Sequence, residues 1–270
     1  MSSRTEGRSS DVRGYLGDLF GLQGKVAMVT GASRGLGKAI SVALARAGAD
    51  LVLLGRDAAR LAEARGQVEA CGRRAIVTAA DVTRVAEVDA AVSRGVAEYG
   101  RIDILVNNAG VALMKPLVEC TLVDWEALVK TNLEGNYLCT QRVGREMIAR
   151  RDGCIINIVS VLGQMAVPLS AIYSVTKSGL IQFTRSAAYE WARYGIRVNA
   201  IAPATFETDM QKEQLADPAR RAALLKGTPM RRFGQPDEMA GLVILLASKA
   251  AGYVTGQTIA IDGGFGFSKF

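Results

Sequence analysis

Tyr173 and Lys177 stand four residues apart in Ala171-Ile-Tyr-Ser-Val-Thr-Lys177, a spacing that on a helix sets a phenol beside an ammonium. A phenol titrates near ~10 when unperturbed. A neighbouring cation that favours the phenolate therefore brings it closer to acid/base work at neutral pH. Of the seven tyrosines, only Tyr173 has a lysine at this spacing. Ser160 closes an apolar run thirteen residues before Tyr173, so a strand and its following helix can carry hydroxyl and phenol to one ketone oxygen. Asn132, in Thr131-Asn-Leu133, is a poor helix former inside a helical pattern and is expected to kink that helix and hold a water. These four side chains read as a device for polarising a carbonyl and moving a proton.

The absence of histidine removes the usual imidazole base of serine and cysteine hydrolases. The four cysteines, Cys71, Cys120, Cys139 and Cys154, are widely spread, and neither a disulfide framework nor a metal cluster is expected. Acid/base work falls to Tyr, Lys, Asp or Glu. The net charge of +7 is spread in basic pairs such as Arg73-Arg74 and Arg231-Arg232, without the aromatic interleaving of a nucleic-acid surface. An anionic small ligand is the expected partner, not nucleic acid. No apolar run approaches the ~20 residues of a membrane span and Met1 to Asp11 is polar, so a cytoplasmic protein is expected.

The elements that must position these groups follow a simple alternation. Val26–Thr30 reads as a strand, a glycine turn follows, and helical periodicity runs from Lys38 to Ala47. Strands are expected again at Leu51–Leu54, Ala75–Ala79, Ile102–Val106, Cys154–Val159, Arg197–Ile201 and Thr258–Ile261. Helices are expected between them at Ala58–Ala70, Val85–Tyr99, Leu122–Arg150, Ala171–Tyr194 and Pro236–Ser248. The content is 49% hydrophobic but only 6% aromatic, which suits buried parallel strands covered by helices. The expectation is one α/β Rossmann-type domain over residues 25–270, a doubly wound parallel sheet of about seven strands with helices on both faces. Residues 1–24 read as a polar arm or strap, anchored by Tyr15, Leu16, Leu19 and Phe20. Residues 203–229 follow a strand's carboxyl end, where such sheets bind ligands, and read as a substrate lid.

Thr30-Gly-Ala-Ser-Arg-Gly-Leu-Gly37 joins the first strand to the first helix. Gly31, Gly35 and Gly37 would allow a tight turn, a close approach to a pyrophosphate and close helix packing, with the helix amides offered to the anion. The second strand ends in Gly55-Arg56, and Arg34 faces the same region, which favours the 2′-phosphate of NADP(H) over NAD(H). Asp57 is the counter-argument as a ribose ligand, or else the N-cap of the next helix. Asp81-Val82 is placed to meet the adenine edge, with Asp81 equally able to cap a helix. Asn107-Asn-Ala-Gly110 is a polar turn beside the cofactor.

With these motifs in place, the chain resembles the short-chain dehydrogenase/reductase family over roughly Leu22 to Gly264. The carrying motifs are Thr30 to Gly37, Asn107 to Gly110, Asn132, Ser160, Tyr173 with Lys177, and Asn199-Ala-Ile-Ala-Pro203 with Thr208. The resemblance implies that Tyr173 is the general acid/base. It implies that Lys177 holds the nicotinamide ribose and lowers the phenol pKa, that Ser160 polarises the carbonyl, and that Asn132 supports a water relay. It also implies cofactor contacts from Gly31, Ser33, Arg34, Gly35, Leu36, Gly37, Arg56, Asp81, Val82, Asn108, Ala109, Gly110, Tyr173, Lys177, Pro203 and Thr208. Ala204 departs from the glycine the family commonly has there. Arg-Gly-Leu-Gly and Phe206-Glu-Thr-Asp-Met210 resemble 3-oxoacyl-thioester reductases. Asp18 to Leu22 and Met114-Lys-Pro-Leu117 look more like keto-gluconate reductases. Oxoacyl thioesters stand slightly ahead of sugar acids, and a dinucleotide sensor without catalysis stands last. Arginines that flank the entrance in carrier-protein reductases fall by spacing on Arg151 and on Tyr194, beside Arg193. A homotetramer is implied by the resemblance, and the tail Phe265 to Phe270 is expected to reach a neighbouring subunit.

Overall fold

The computed structural model describes residues 5–211 and 215–267. β1 (Val26–Thr30) and β2 (Asp50–Gly55) are buried along their whole length, because helices cover both faces of the sheet they share. β3 (Ala75–Ala79), β4 (Ile104–Asn107), β5 (Gly153–Ile158), β6 (Ile196–Pro203) and β7 (Thr258–Ile261) complete seven parallel strands in the order β3-β2-β1-β4-β5-β6-β7. The order reverses direction between β1 and β4, which opens a crevice at their carboxyl ends.

Local sequence explains the helices. α2 (Gly35–Arg46) buries Ile40, Ala43 and Leu44, a spacing that keeps one stripe on the core. It starts three residues earlier than periodicity predicts, at Gly35 within the glycine turn. α3 (Ala58–Glu69) is capped by Asp57, whose carboxylate accepts from the Arg60 amide at 3.1 Å. α4 (Val85–Tyr99) ends on Gly100 in the left-handed region.

The predicted helix over residues 122–150 is broken. α5 (Leu122–Val129) runs into a π-helical turn at Lys130–Glu134 and resumes as α6 (Gly135–Arg150). Asn132 sits inside that turn, fully buried. α7 (Ala171–Trp191) carries Tyr173 and Lys177, and Ala192–Tyr194 finishes as a tighter turn. β4 begins two residues later than predicted, at Ile104.

Two further expectations change. The polar arm is helical, α1 (Thr5–Phe20). Of its expected anchors, Leu19 and Phe20 are half-buried while Tyr15 and Leu16 face solvent; residues 1–4 lie outside the described residues. The lid region contains a helix, Pro218–Gly227, capped by Asp217 and started by Pro218; residues 212–214 lie outside the described residues.

Candidate active site

The carboxyl ends of the strands open on one cleft of about 740 Å³. At one end lies the glycine turn. Thr30 Oγ1 accepts from the backbone amides of Asn108 and Ala109, both at 3.0 Å, and Asn108 Nδ2 donates to the carbonyls of Thr30 and Gly31 at 3.0 and 3.2 Å. These bonds lock the Asn108-Ala-Gly110 turn onto the glycine turn. A Cβ on Gly37 would lie 2.2 Å from the Gly31 carbonyl oxygen, and one on Gly35 would touch Thr208 at 3.6 Å. Gly31 and Gly35 also hold φ angles of 65° and 54°, which glycine adopts without strain.

A phosphate-bearing cofactor fits this cradle. α2 has no side-chain cap and no acidic residue in its first turn, so its leading amides are left for an anion in the cleft. α3, one strand away, uses Asp57 as its cap and shows the contrast. Arg34, Arg56 and Arg60 line the same end of the cleft. Asp57 is committed to the Arg60 amide and lies 3.4 Å from the Arg60 guanidinium. Asp81 accepts from the Thr83 amide at 2.9 Å. Burial would raise its carboxyl, but the Thr83 bonds and the charges of Arg56 and Arg84 hold it below the ordinary value. Arg84 forms the N-cap of α4, so Asp81 shapes the loop and does not cap the helix. Val82 lines the cleft beside it and packs against the start of α6.

Ser160, Tyr173 and Lys177 come together midway along the cleft. Ser160 follows β5, and its Oγ accepts from the Leu162 amide at 3.2 Å. The tight turn after it can approach α7 because Gly163 has no side chain: a Cβ there would lie 2.9 Å from the Lys177 backbone. The Ser160 hydroxyl lies near enough to the Tyr173 phenol to pull its pKa down. Lys177 Nζ donates to the Ile158 carbonyl at 2.9 Å and lies 5.7 Å from the Tyr173 ring centre. Gly110 faces it, where a Cβ would stand 3.6 Å from Nζ.

Electrostatics modify the expectation that Lys177 depresses the phenol. Burial pushes Tyr173 up to about 12, against the lowering pull of Ser160. Burial also pushes Lys177 down to about 8. Loss of water therefore dominates both groups, and the phenol is a firmly protonated donor at neutral pH.

Asn132 sits in the π-helical turn that breaks its helix, and its side chain makes three bonds. Its Oδ1 accepts from the Val111 amide at 2.8 Å, and its Nδ2 donates to the Val111 carbonyl at 2.9 Å and to Thr176 Oγ1 at 3.1 Å. The amide clamps the cleft wall to α7, with no capacity left for a water on Nδ2. Its backbone carbonyl accepts from Asn136 Nδ2 at 2.7 Å. Asn107 is buried among Thr140 and Asn157 and supports the sheet.

This architecture has close relatives. A 3-oxoacyl-[acyl-carrier-protein] reductase of Synechocystis is 42% identical over 90% of this chain and 97% of its own length. Gluconate 5-dehydrogenase of Gluconobacter oxydans is 41% identical over 92% and 96%. The crystal structure of a gluconate 5-dehydrogenase from Burkholderia cenocepacia in complex with NADP and tartrate is 41% identical, covers 94% of this chain and 99% of that one, and superposes with a TM-score of 0.90. A short-chain dehydrogenase family model, described as Enoyl-(Acyl carrier protein) reductase, matches residues 31–266. The chain belongs to the short-chain dehydrogenase/reductase family. As a family member it is an NAD(P)-dependent oxidoreductase that interconverts alcohol and ketone groups.

Within this family member, Arg151 and Tyr194, which spacing assigns to the entrance, sit elsewhere. Arg151 precedes β5 and Tyr194 precedes β6, so both lie at the amino edge of the sheet, opposite the cleft. Arg151 donates to the Arg193 carbonyl at 2.7 Å, and both guanidiniums stack on the Tyr194 ring, at 5.8 and 4.9 Å. Pro203 and Thr208 line the cleft as expected. Sequence reasoning missed Thr176, Gly163 and Leu169, whose positive φ of 70° shapes the cleft rim. The Leu169 carbonyl also ties down the Lys115 amide at 2.8 Å. A non-glycine residue with positive φ carries no mark in the sequence. Among the described residues no helix is long and apolar enough to cross a membrane, and no group of three His, Cys, Asp or Glu is placed to hold a metal.

Proposed function

We propose that the chain reduces a ketone to a secondary alcohol with NADP(H) favoured over NAD(H), most readily a 3-oxoacyl thioester or related ketone. The observation that carries this reading is the gathering of Ser160, Tyr173 and Lys177 in the same cleft as the glycine turn and three arginines. Arg34, Arg56 and Arg60 would hold the 2′-phosphate, and Asp57, occupied with its own helix, is withdrawn from a ribose diol. The amides of Gly35 to Gly37 would hold the pyrophosphate. When bound, the nicotinamide supplies or accepts the hydride.

The residues do the rest. Ser160 donates to the ketone oxygen and fixes it beside the phenol. Tyr173, kept protonated by burial, gives its proton to the developing alkoxide. Lys177, cationic below about pH 8, stabilises the phenolate left behind. Asn132 acts on geometry, holding the Val111 wall against α7.

Reduction of a keto-gluconate is the second reading, favoured by the near-equal identity to gluconate 5-dehydrogenase. We also propose a cytoplasmic homotetramer, supported by exposed Trp125, Val123, Tyr137 and Tyr189 on α5, α6 and α7. Light scattering would give the mass.

Oxidation of NADPH and NADH with acetoacetyl thioesters, keto-gluconates and simple ketones tests the activity. Turnover with NADPH at a higher kcat/KM than with NADH is expected. Tight cofactor binding with no turnover of any ketone would support a sensor instead.

A further inference from the structure

The substrate end of the cleft is closed by the segment after β7. Asp262 accepts from the amides of Gly264 and Gly266 at 2.9 and 2.8 Å, and its carbonyl accepts from the Phe265 amide at 3.1 Å. Gly263 and Gly264 hold φ angles of 60° and 86°, so the chain turns back where other residues would be strained. The turn is fastened to the base of the lid, with the Met230 amide donating to the Gly263 carbonyl at 3.1 Å. A Cβ on Gly264 would come 3.0 Å from Pro229.

This hairpin-like turn drives Phe265 inward. It is 5% exposed and joins an apolar cluster with Leu162, Met165 and Leu224. Phe265, Leu162 and Leu224 line the same cleft as Ser160 and Tyr173. Phe265 itself therefore faces the cleft of its own chain; residues 268–270 lie outside the described residues. Arg220, one helical turn before Leu224, also lines the cleft and is engaged in a contact of its own.

We infer that Phe265 and Leu224 form a specificity wall that selects ketones bearing an unbranched apolar chain and rejects polyhydroxylated ones. The inference rests on the ketone-reduction reading and narrows its substrate class. A chain methylene that reaches such a wall raises kcat/KM by about tenfold or more. A hydroxyl pressed against it loses its water without gaining a partner. The two residues come from different segments of the chain, the turn after β7 and the lid helix, and pack in one cluster, so loss of either opens the wall.

The test compares wild type with Phe265→Ser and Leu224→Ser, using NADPH with the N-acetylcysteamine thioesters of acetoacetate and 3-oxohexanoate and with 5-keto-gluconate. NADPH affinity is followed by fluorescence and folding by thermal denaturation. Wild type is expected to prefer the 3-oxohexanoyl thioester over both others by about tenfold or more. Each serine variant should cut that preference at least about fivefold, with NADPH affinity within about twofold of wild type. Leu224 is half-buried, so its variant stands even if Phe265→Ser fails to fold. Preference for keto-gluconate, or an equal loss with every ketone in Leu224→Ser, overturns the wall while leaving ketone reduction intact. If no ketone is turned over, the reduction reading fails. The wall is then decided by calorimetric titration of the NADP-loaded protein with methyl 3-hydroxyhexanoate: weaker binding in Leu224→Ser supports it, and unchanged binding overturns it.

Discussion

The two ends of the cleft are built in opposite ways. The cofactor end is made of backbone: a glycine turn, the uncapped start of α2, and an asparagine turn strapped to Thr30. The substrate end has a wall of apolar side chains gathered from the turn after β5, the lid helix and the turn after β7, with Arg220 beside it. Ser160 and Tyr173 stand where the two meet. The contrast teaches that one end is fixed by local conformation and tolerates no added atom, whereas the other is set by packing and is free to vary with the substrate.

That contrast predicts a graded series of effects. Gly37→Val should be the most severe, because its new carbon would overlap the Gly31 carbonyl. NADPH affinity should fall at least about a hundredfold, the equivalent of ~3 kcal/mol. Binding within tenfold of wild type by fluorescence titration would show that the turn yields more than its geometry allows.

Lys177→Met should come next, slowing turnover by about a hundredfold or more. The pH dependence carries a definite sign. With the lysine pushed down to about 8 in the folded chain and near ~10.4 when unfolded, the unfolded state binds more protons between these values. Stability should therefore rise with pH across that window, by up to ~1.4 kcal/mol per unit at full separation. NADPH affinity should move the other way, weakening as pH climbs through about 8 and the cation is lost. Chemical denaturation and cofactor titration at several pH values check both trends, and Lys177→Met should flatten both.

Arg56→Glu should have a smaller and selective effect, weakening NADPH by about ten- to a hundredfold while sparing NADH. Equal losses for both cofactors would remove the arginines from the 2′-phosphate reading.

The same division explains what was legible in the sequence. The strand positions, the parallel sheet, the glycine turn and the gathering of Ser160 with Tyr173 follow from local propensity and parallel winding, which local sequence announces. The π-helical turn at Lys130–Glu134 was visible only as an ill-fitting Asn132, and its use as a clamp on Val111 depends on a contact across the fold. Phe265 gave no signal, because a tail residue enters the cleft only through the turn that Asp262 stabilises. Arg151 misled for the opposite reason: counting from Ser160 places it in sequence, but the parallel strand carries it to the far edge of the sheet. Burial pushes the phenol up, an influence that spacing to a lysine does not report.

The central claim, that Tyr173 moves the proton while the glycine turn and the arginines carry most of the cofactor's binding, is tested most directly by Tyr173→Phe. NADPH titration and single-turnover ketone reduction would be measured on the same preparation. The account predicts NADPH affinity within about threefold of wild type and a reduction rate lowered by about a hundredfold or more. A rate near that of wild type, with the cofactor bound as tightly, would contradict it.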